Sequence, residues 1–156
     1  MDKTEKQQLY DTTIPHILQL IEGETDLIAV MATVACELHH AFPYFDWTGF
    51  YRVVEPDLLK IGPYQGGHGC LQIPFDRGIC GAAARTRQTQ LIADVRLCTD
   101  HIACASSTLA EIVIPIEDTH GKLLAVLDVD SDQLNAFDQV DQTNLEQLCA
   151  HIGRVG

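Results

Sequence analysis

The sequence predicts an α+β domain in which helices pack on one antiparallel sheet. Three observations carry that expectation. Two stretches of helical apolar periodicity open the chain, short runs rich in β-branched and aromatic residues fill its middle, and a further helical stretch closes it. At 156 residues the chain has the length of one domain, which buries roughly two thirds of its unfolded surface without disulfide staples. With 46% hydrophobic and 21% charged residues, its composition is globular.

The first helix is expected over Lys3 to Glu22, where Tyr10, Ile14, Ile17, Leu18 and Ile21 recur at three- and four-residue steps before Gly23. A second begins at Thr25 or Asp26, either of which can cap it. It runs through Leu27, Ile28, Met31, Val34, Ala35 and Leu38 to about Ala41, with Cys36 near its buried side. Pro43 stops helical structure. Trp47 to Val54 reads as a strand, Pro56-Asp57 as a turn and Leu58 to Tyr64 as the hairpin partner. Gly66-Gly67-His68-Gly69 is a flexible loop delivering Cys70, and Cys70 to Pro74 is a short strand. Gly78 to Arg87 has the small residues that let a helix approach a sheet closely, with Cys80 in its first turn. Ala93 to Ala110 lacks periodicity and exceeds the usual loop length, which marks a functional loop, with Cys104 in it. Glu111 to Ile116 and Leu123 to Asp130 are strands joined by a turn over Asp118 to Gly121. The last helix opens at Asp138, a capping residue, and places Val140, Leu145, Leu148, Cys149 and Ile152 on one face.

Charge narrows the function classes. Twenty-two acidic against ten basic residues give a net charge of -12, which repels phosphate backbones and anionic lipid over a Debye length. Nucleic acid and membrane are therefore not expected partners. No apolar run is long enough to span a bilayer and the first residues lead into no signal-peptide core, so a cytoplasmic location is expected. Six cysteines in such a chain are expected to be reduced thiols, with any bridge among them transient and catalytic.

Four of those cysteines, Cys70, Cys80, Cys98 and Cys104, fall between Cys70 and Glu111. Cys98, His101 and Cys104 form a C-x2-H-x2-C run without a matching second pair, so no metal is expected. Thiol redox chemistry fits the spacing better than zinc, since it needs one cysteine in a site and another on a mobile segment; the other reading is that these are core or incidental cysteines. Asp128 and Asp130 share a face of an otherwise apolar strand, with Cα atoms about 7 Å apart. Either they are buried together, in which case one tends to hold a proton near neutral pH, or Asp130 has left the strand and solvates its end. Glu111 adds a third acid at a strand start. Trp47, Gly49 and Tyr51 also share a strand face, either as core or as a wall with a gap at Gly49 where a ligand approaches between two rings.

Seven motifs, in order, carry a family resemblance: WTGFY at Trp47 to Tyr51, GPYQG at Gly62 to Gly66, C-x9-C-G at Cys70 to Gly81, ADV at Ala93 to Val95, HIAC at His101 to Cys104, EIVIP at Glu111 to Pro115 and LDVDS at Leu127 to Ser131. The chain from Gly23 to Val155 resembles the free methionine-R-sulfoxide reductase family of GAF-domain proteins. That resemblance implies a single GAF domain over residues 1–156, with an N-terminal helix over 1–22, about six antiparallel strands, and the terminal helices packed on one sheet face. It implies a homodimer that reduces free L-methionine-(R)-sulfoxide, with thioredoxin restoring the dithiol and no cofactor beyond that reductant. By matched position, Cys104 corresponds to the nucleophile, Cys70 to the main resolving cysteine and Cys80 to a second thiol. Glu111, Asp128 and Asp130 correspond to the acids that bind the substrate ammonium and serve the sulfoxide oxygen, and Trp47 and Tyr51 to the wall around the methyl end. The chain departs from the family at Ala105 and Ala110, where Asp and Ser are common, and at Cys98, which has no family counterpart. The alternative from another class is a non-catalytic GAF sensor of a small ligand or of thiol redox state.

Overall fold

Local signals place most of the elements where the periodicity puts them. The computed structural model describes residues 1–98 and 107–155. Helix α1 spans Lys3–Leu20, opened by a capping box between Asp2 and Glu5. Helix α2 spans Leu27–Ala41, with the Asp26 carboxylate accepting from the amides of Ile28 and Ala29. Strand β1 (Trp47–Glu55) turns back through Asp57, whose φ of 61° lies in the left-handed region, into β2 (Leu58–Gln65). Then come β3 (Gln72–Pro74), α3 (Gly78–Thr86), β4 (Gln90–Ile92), a 3-10 turn over Val95–Leu97, β5 (Ala110–Glu117), β6 (Leu123–Ser131) and α4 (Gln139–Ile152).

The six strands form one sheet in the order β3-β2-β1-β6-β5-β4, every neighbouring pair antiparallel. Because strand side chains alternate between faces, the sheet carries two cores. On one face Phe50, Ile112, Ile114, Ile116, Ala125, Leu127 and Val129 pack with α1, α2 and α4 through Tyr10, Ile17, Met31, Leu38, Leu145 and Leu148. On the other, Trp47, Tyr51, Val113 and Val126 pack with Ile79, Cys80, Ala83 and Ala84 of α3. The terminal helices thus lie together on one face, as expected, and α3 lies on the other.

A polar pin joins the ends of the chain across the first core. Lys6 Nζ donates to Asp141 Oδ2 at 2.7 Å, to Asp138 Oδ2 at 3.2 Å and to the Ala136 carbonyl at 2.8 Å. Asp141 is fully buried, and its Oδ1 accepts from the hydroxyls of Tyr10 at 2.7 Å and Tyr44 at 2.5 Å. Each atom of this buried ion pair therefore has partners, which is what makes such a pair tolerable in a core.

The structure corrects several expectations. The span from Ala93 to Ala110 is not loop throughout. It holds the 3-10 turn, capped where Asp94 Oδ1 accepts from the Arg96 amide at 3.0 Å, and β4 pairs along β5 just ahead of it. A three-residue strand carries no readable periodicity, and the exposed edge of β5 creates it. The short strand expected from Cys70 begins at Gln72, leaving Cys70 outside the ladder. Cys36 keeps its expected place near the buried side of α2, where it is half-buried.

Candidate functional site

Strand β6 organises the site. Asp128 and Asp130 both lie inside it, on the face away from the large helices, so the reading in which Asp130 has left the strand does not hold. Backbone pairing continues past Asp130 because Asp46 holds it there. The Asp46 amide donates to the Asp130 carbonyl at 2.9 Å, and Asp46 Oδ2 accepts from the Asp132 amide at 2.8 Å.

Register brings the other residues to these two acids. Across β5 and β6, Glu111 stands opposite Asp130 and Val113 opposite Asp128. Across β1 and β6, Trp47 stands opposite Asp130 and Gly49 opposite Asp128. Residues opposite each other in a sheet have Cβ atoms about 5 Å apart on the same face, so three acids and two aromatics from three strands converge. Helix α3 closes the patch from above, with Cys80 Sγ 4.0 Å from Glu111 Oε1. Ligand atoms of Cys80, Glu111 and Asp128 all lie within 4.8 Å of one another, a spacing that can hold a metal ion or a small cation. Gly81 makes this approach possible, because a Cβ there would sit 2.7 Å from the Pro74 carbonyl oxygen and 2.9 Å from that of Phe75.

Burial governs the protonation of the patch. Glu111 and Asp128 are 6% and 5% exposed. Loss of hydration pushes the Asp128 carboxyl up to about 6, although side-chain hydrogen bonds from Glu111, Cys80 and Asp130 hold it back. Glu111 and Asp130 are pushed well up by burial and then by the charge of Asp128. The Cys80 thiol rises well above its ordinary value through burial and the fields of Asp128, Glu111 and Asp130, and the Tyr51 hydroxyl rises through burial and Asp128. Burial and mutual repulsion therefore favour the protonated forms of Glu111, Asp130 and the Cys80 thiol around Asp128, the carboxyl least raised by its neighbours. Asp128 Oδ1 and Asp130 Oδ1 are buried without a hydrogen-bond partner among the described residues, an arrangement that favours an incoming cation or donor.

Of the two readings of the Trp47, Gly49 and Tyr51 face, packed core and a wall with a gap at Gly49, the structure shows the packed one. Trp47 stacks on Tyr51 with centroids 6.0 Å apart and on Tyr64 at 5.3 Å, at interplanar angles of 26° and 18°. A Cβ on Gly49 would lie 2.5 Å from both Trp47 Cη2 and Tyr64 Cβ, so the glycine lets the indole lie down over the strand instead of admitting a ligand. Tyr64 is the residue that sequence reasoning missed. Its signal was present in its pairing with Gly49 across the hairpin, which no linear pattern displays. Trp47 Nε1 donates to the Gly67 carbonyl at 2.7 Å, tying the glycine-rich loop before Cys70 to the site. Asp46, Trp47, Gly67, His68, Ser107, Thr108, Asp130 and Asp132 line a cavity of about 150 Å³ beside the acids. A larger groove of about 800 Å³ between α4 and β5, lined by Arg87, Glu146 and Arg154 among others, contains none of the candidate site residues.

The described cysteines separate clearly. Cys149 is buried in the helical core. Cys70 is half-buried and disulfide-bonded, while Cys36, Cys80, Cys98 and Cys149 are free. Cys98, at the end of the 3-10 turn, packs against the same apolar cluster as Cys80 and Cys70. Cys104 and His101 lie outside the described residues. Among the described residues, no helix is long and apolar enough to cross a membrane.

Comparison with known proteins identifies the fold and the family. The family model of the GAF domain matches residues 22–155. The chain is 38% identical over 136 residues to the free methionine-R-sulfoxide reductase of Escherichia coli, covering 87% of this chain and 81% of that one. It is 34% identical over 155 residues to the protein of the same name from Saccharomyces cerevisiae, covering 96% and 86%. The solved free methionine-R-sulfoxide reductase from Neisseria meningitidis, in complex with its substrate, superposes with a TM-score of 0.90 at 40% identity, covering 95% and 88% of the two chains.

Proposed function

Because this chain belongs to the free methionine-R-sulfoxide reductase family of GAF-domain proteins, we propose that it is an oxidoreductase that reduces free L-methionine-(R)-sulfoxide to methionine. In this reading Cys104 is the nucleophile, Cys70 the main resolving thiol and Cys80 a second partner. The observation that carries it is the convergence of Glu111, Asp128 and Asp130 beside Cys80 and under the Trp47 and Tyr51 rings. Those are the groups that a zwitterionic sulfoxide requires.

Ionised Asp128 receives the substrate ammonium, whose charge offsets a buried carboxylate that otherwise lacks one partner. Glu111 and Asp130, whose burial favours the protonated form, supply the acid. The Cys104 thiolate attacks the sulfoxide sulfur, the oxygen takes a proton from the acid cluster, and transfer of the hydroxyl to the Cys104 sulfur releases methionine. Two electrons have then passed from Cys104 to substrate, leaving a sulfenic acid. The Cys70 thiol displaces its hydroxyl as water, an S–S bond forms, and the dithiol of thioredoxin reduces that bond by exchange. The bonded state of Cys70 and the free state of Cys80 support this order of use. Trp47 and Tyr51 flank the methyl end. A cytoplasmic homodimer completes the reading.

The test is methionine release from each free sulfoxide epimer, with dithiothreitol or thioredoxin as reductant. The R epimer is consumed by the wild type, Cys104→Ser is inert, and Cys70→Ser releases about one methionine per protein without thioredoxin recycling. A wild type inert toward both epimers sinks the reaction, leaving a small-ligand or redox sensor, whereas an active Cys104→Ser sinks the residue assignment.

A further inference from the structure

We propose that the reduced protein has a site for one thiophilic divalent cation, with zinc as its type, ligated by Cys80 Sγ and the carboxylates of Glu111 and Asp128. Metal bound there keeps free methionine sulfoxide out, a consequence that rests on the function proposed above, whereas the metal site itself does not.

The ligand atoms already lie within 4.8 Å of one another, and Cys80 Sγ is 4.0 Å from Glu111 Oε1. Tetrahedral zinc with a Zn–S distance of about 2.3 Å and Zn–O distances of about 2.0–2.2 Å needs its ligands on the order of 3.5 Å apart. The remaining contraction, on the order of 1 Å, is within the reach of side-chain torsions. The three residues come from rigid elements: the first turn of α3, β5 and β6. Gly81, pressed against the carbonyls of Pro74 and Phe75, keeps α3 at the necessary distance.

The independent observation is Asp128 Oδ1, which is buried and has no hydrogen-bond partner among the described residues. Asp130 Oδ1 is in the same condition and stands two residues along the same strand face, where it can support the ligands or complete the coordination. The donor set selects the ion. A thiolate with two carboxylates suits zinc or cobalt, while magnesium and calcium demand oxygen ligands throughout. An ammonium uses the carboxylates but gains nothing from the sulfur. Binding exchanges the Cys80 S–H proton, and any proton held on the two carboxyls, for the metal and releases them to solvent, with no change of oxidation state. It requires Cys80 to be a free thiol, as it is here, and ends when Cys80 enters a disulfide.

Reduced protein freed of small thiols is titrated anaerobically with cobalt(II), and the cobalt–thiolate absorption in the near ultraviolet is followed for wild type, Cys80→Ser, Asp128→Asn, Cys98→Ser and Cys104→Ser. The expected result is one equivalent, displaced by zinc. The band is absent in Cys80→Ser and unchanged in Cys98→Ser and Cys104→Ser, and affinity falls about tenfold or more in Asp128→Asn. Circular dichroism establishes that Cys80→Ser is folded, and the Asp128→Asn arm stands without it. In Cys104→Ser, which does not turn over, the R sulfoxide raises the apparent cobalt dissociation constant in proportion to its concentration. A band that survives Cys80→Ser, or one lost in Cys98→Ser or Cys104→Ser, overturns the ligand set. Cobalt binding indifferent to the sulfoxide overturns the exclusion. Sulfoxide turnover measured on the metal-free wild type separates the two readings. An inert protein that binds cobalt through Cys80 keeps the metal site and loses the reductase, while an active protein with no cobalt–thiolate band keeps the reductase and loses the metal site.

Discussion

Asp128→Asn tests the electrostatic account of the site without any substrate. The wild-type carboxyl is buried and pushed up to about 6 in the folded protein, against an ordinary value of about 3.9 in the unfolded chain. The sign follows from linkage. A folded value raised above the unfolded one gives stability that is fully present below about pH 4 and lost as pH rises through about 6. At a rate on the order of 1 kcal/mol per pH unit of difference, ionised Asp128 costs the fold about 3 kcal/mol at pH 7 and above, about half of that at pH 5 and little at pH 4. Asparagine keeps the shape and cannot ionise. The variant should therefore be more stable than wild type by about 3 kcal/mol at pH 7.5, a rise of roughly 6–12 °C in Tm for a chain of this size, and the advantage should shrink toward zero by about pH 4. Urea unfolding of both proteins across pH 4 to 8, at one protein concentration, measures it. An advantage that does not vary with pH, or a variant less stable at pH 7.5, would refute the claim that burial of this charge dominates. The same variant should lose reductase activity, so that the site trades stability for function.

Two further predictions concern what holds the site in place. Lys6→Met leaves the buried Asp141 carboxylate with only its tyrosine and backbone donors, which should cost about 3–5 kcal/mol in urea unfolding. Activity per folded molecule should stay unchanged, since the pin lies on the helical face, away from the acids. Gly49→Ala drives a methyl group into the Trp47 indole and Tyr64, at a cost of about 1–3 kcal/mol. Trp47 is the sole tryptophan, so the displaced ring should shift the fluorescence maximum to the red. An unshifted spectrum would show that the strand accommodates the methyl group elsewhere.

What the linear chain determined by itself was local. Asp26 and Asp138 announce their helices because a cap acts within three residues, and the hairpin of β1 and β2 is legible from its turn. That Asp128 and Asp130 share a face follows from the pleat once both are in the strand, and the contact from Asp46 is what keeps Asp130 there. The seven motifs identify the family. Tertiary structure decided which of these meet. That Glu111 faces Asp130, that Trp47 faces it from the other side, and that Cys80 descends onto Glu111 all depend on register and on how closely α3 can approach. Those are non-local quantities, since a one-residue slip in pairing would send each side chain to the opposite face. The same holds for β4, which exists because β5 has an edge to pair, for Lys6 finding Asp141 near the opposite end of the chain, and for the Tyr64 ring that extends the aromatic stack. Between core and gap at Gly49, packing decided: a missing Cβ is filled by the nearest large ring, here Trp47, because a void beside an indole forfeits contact that the ring recovers by lying flat.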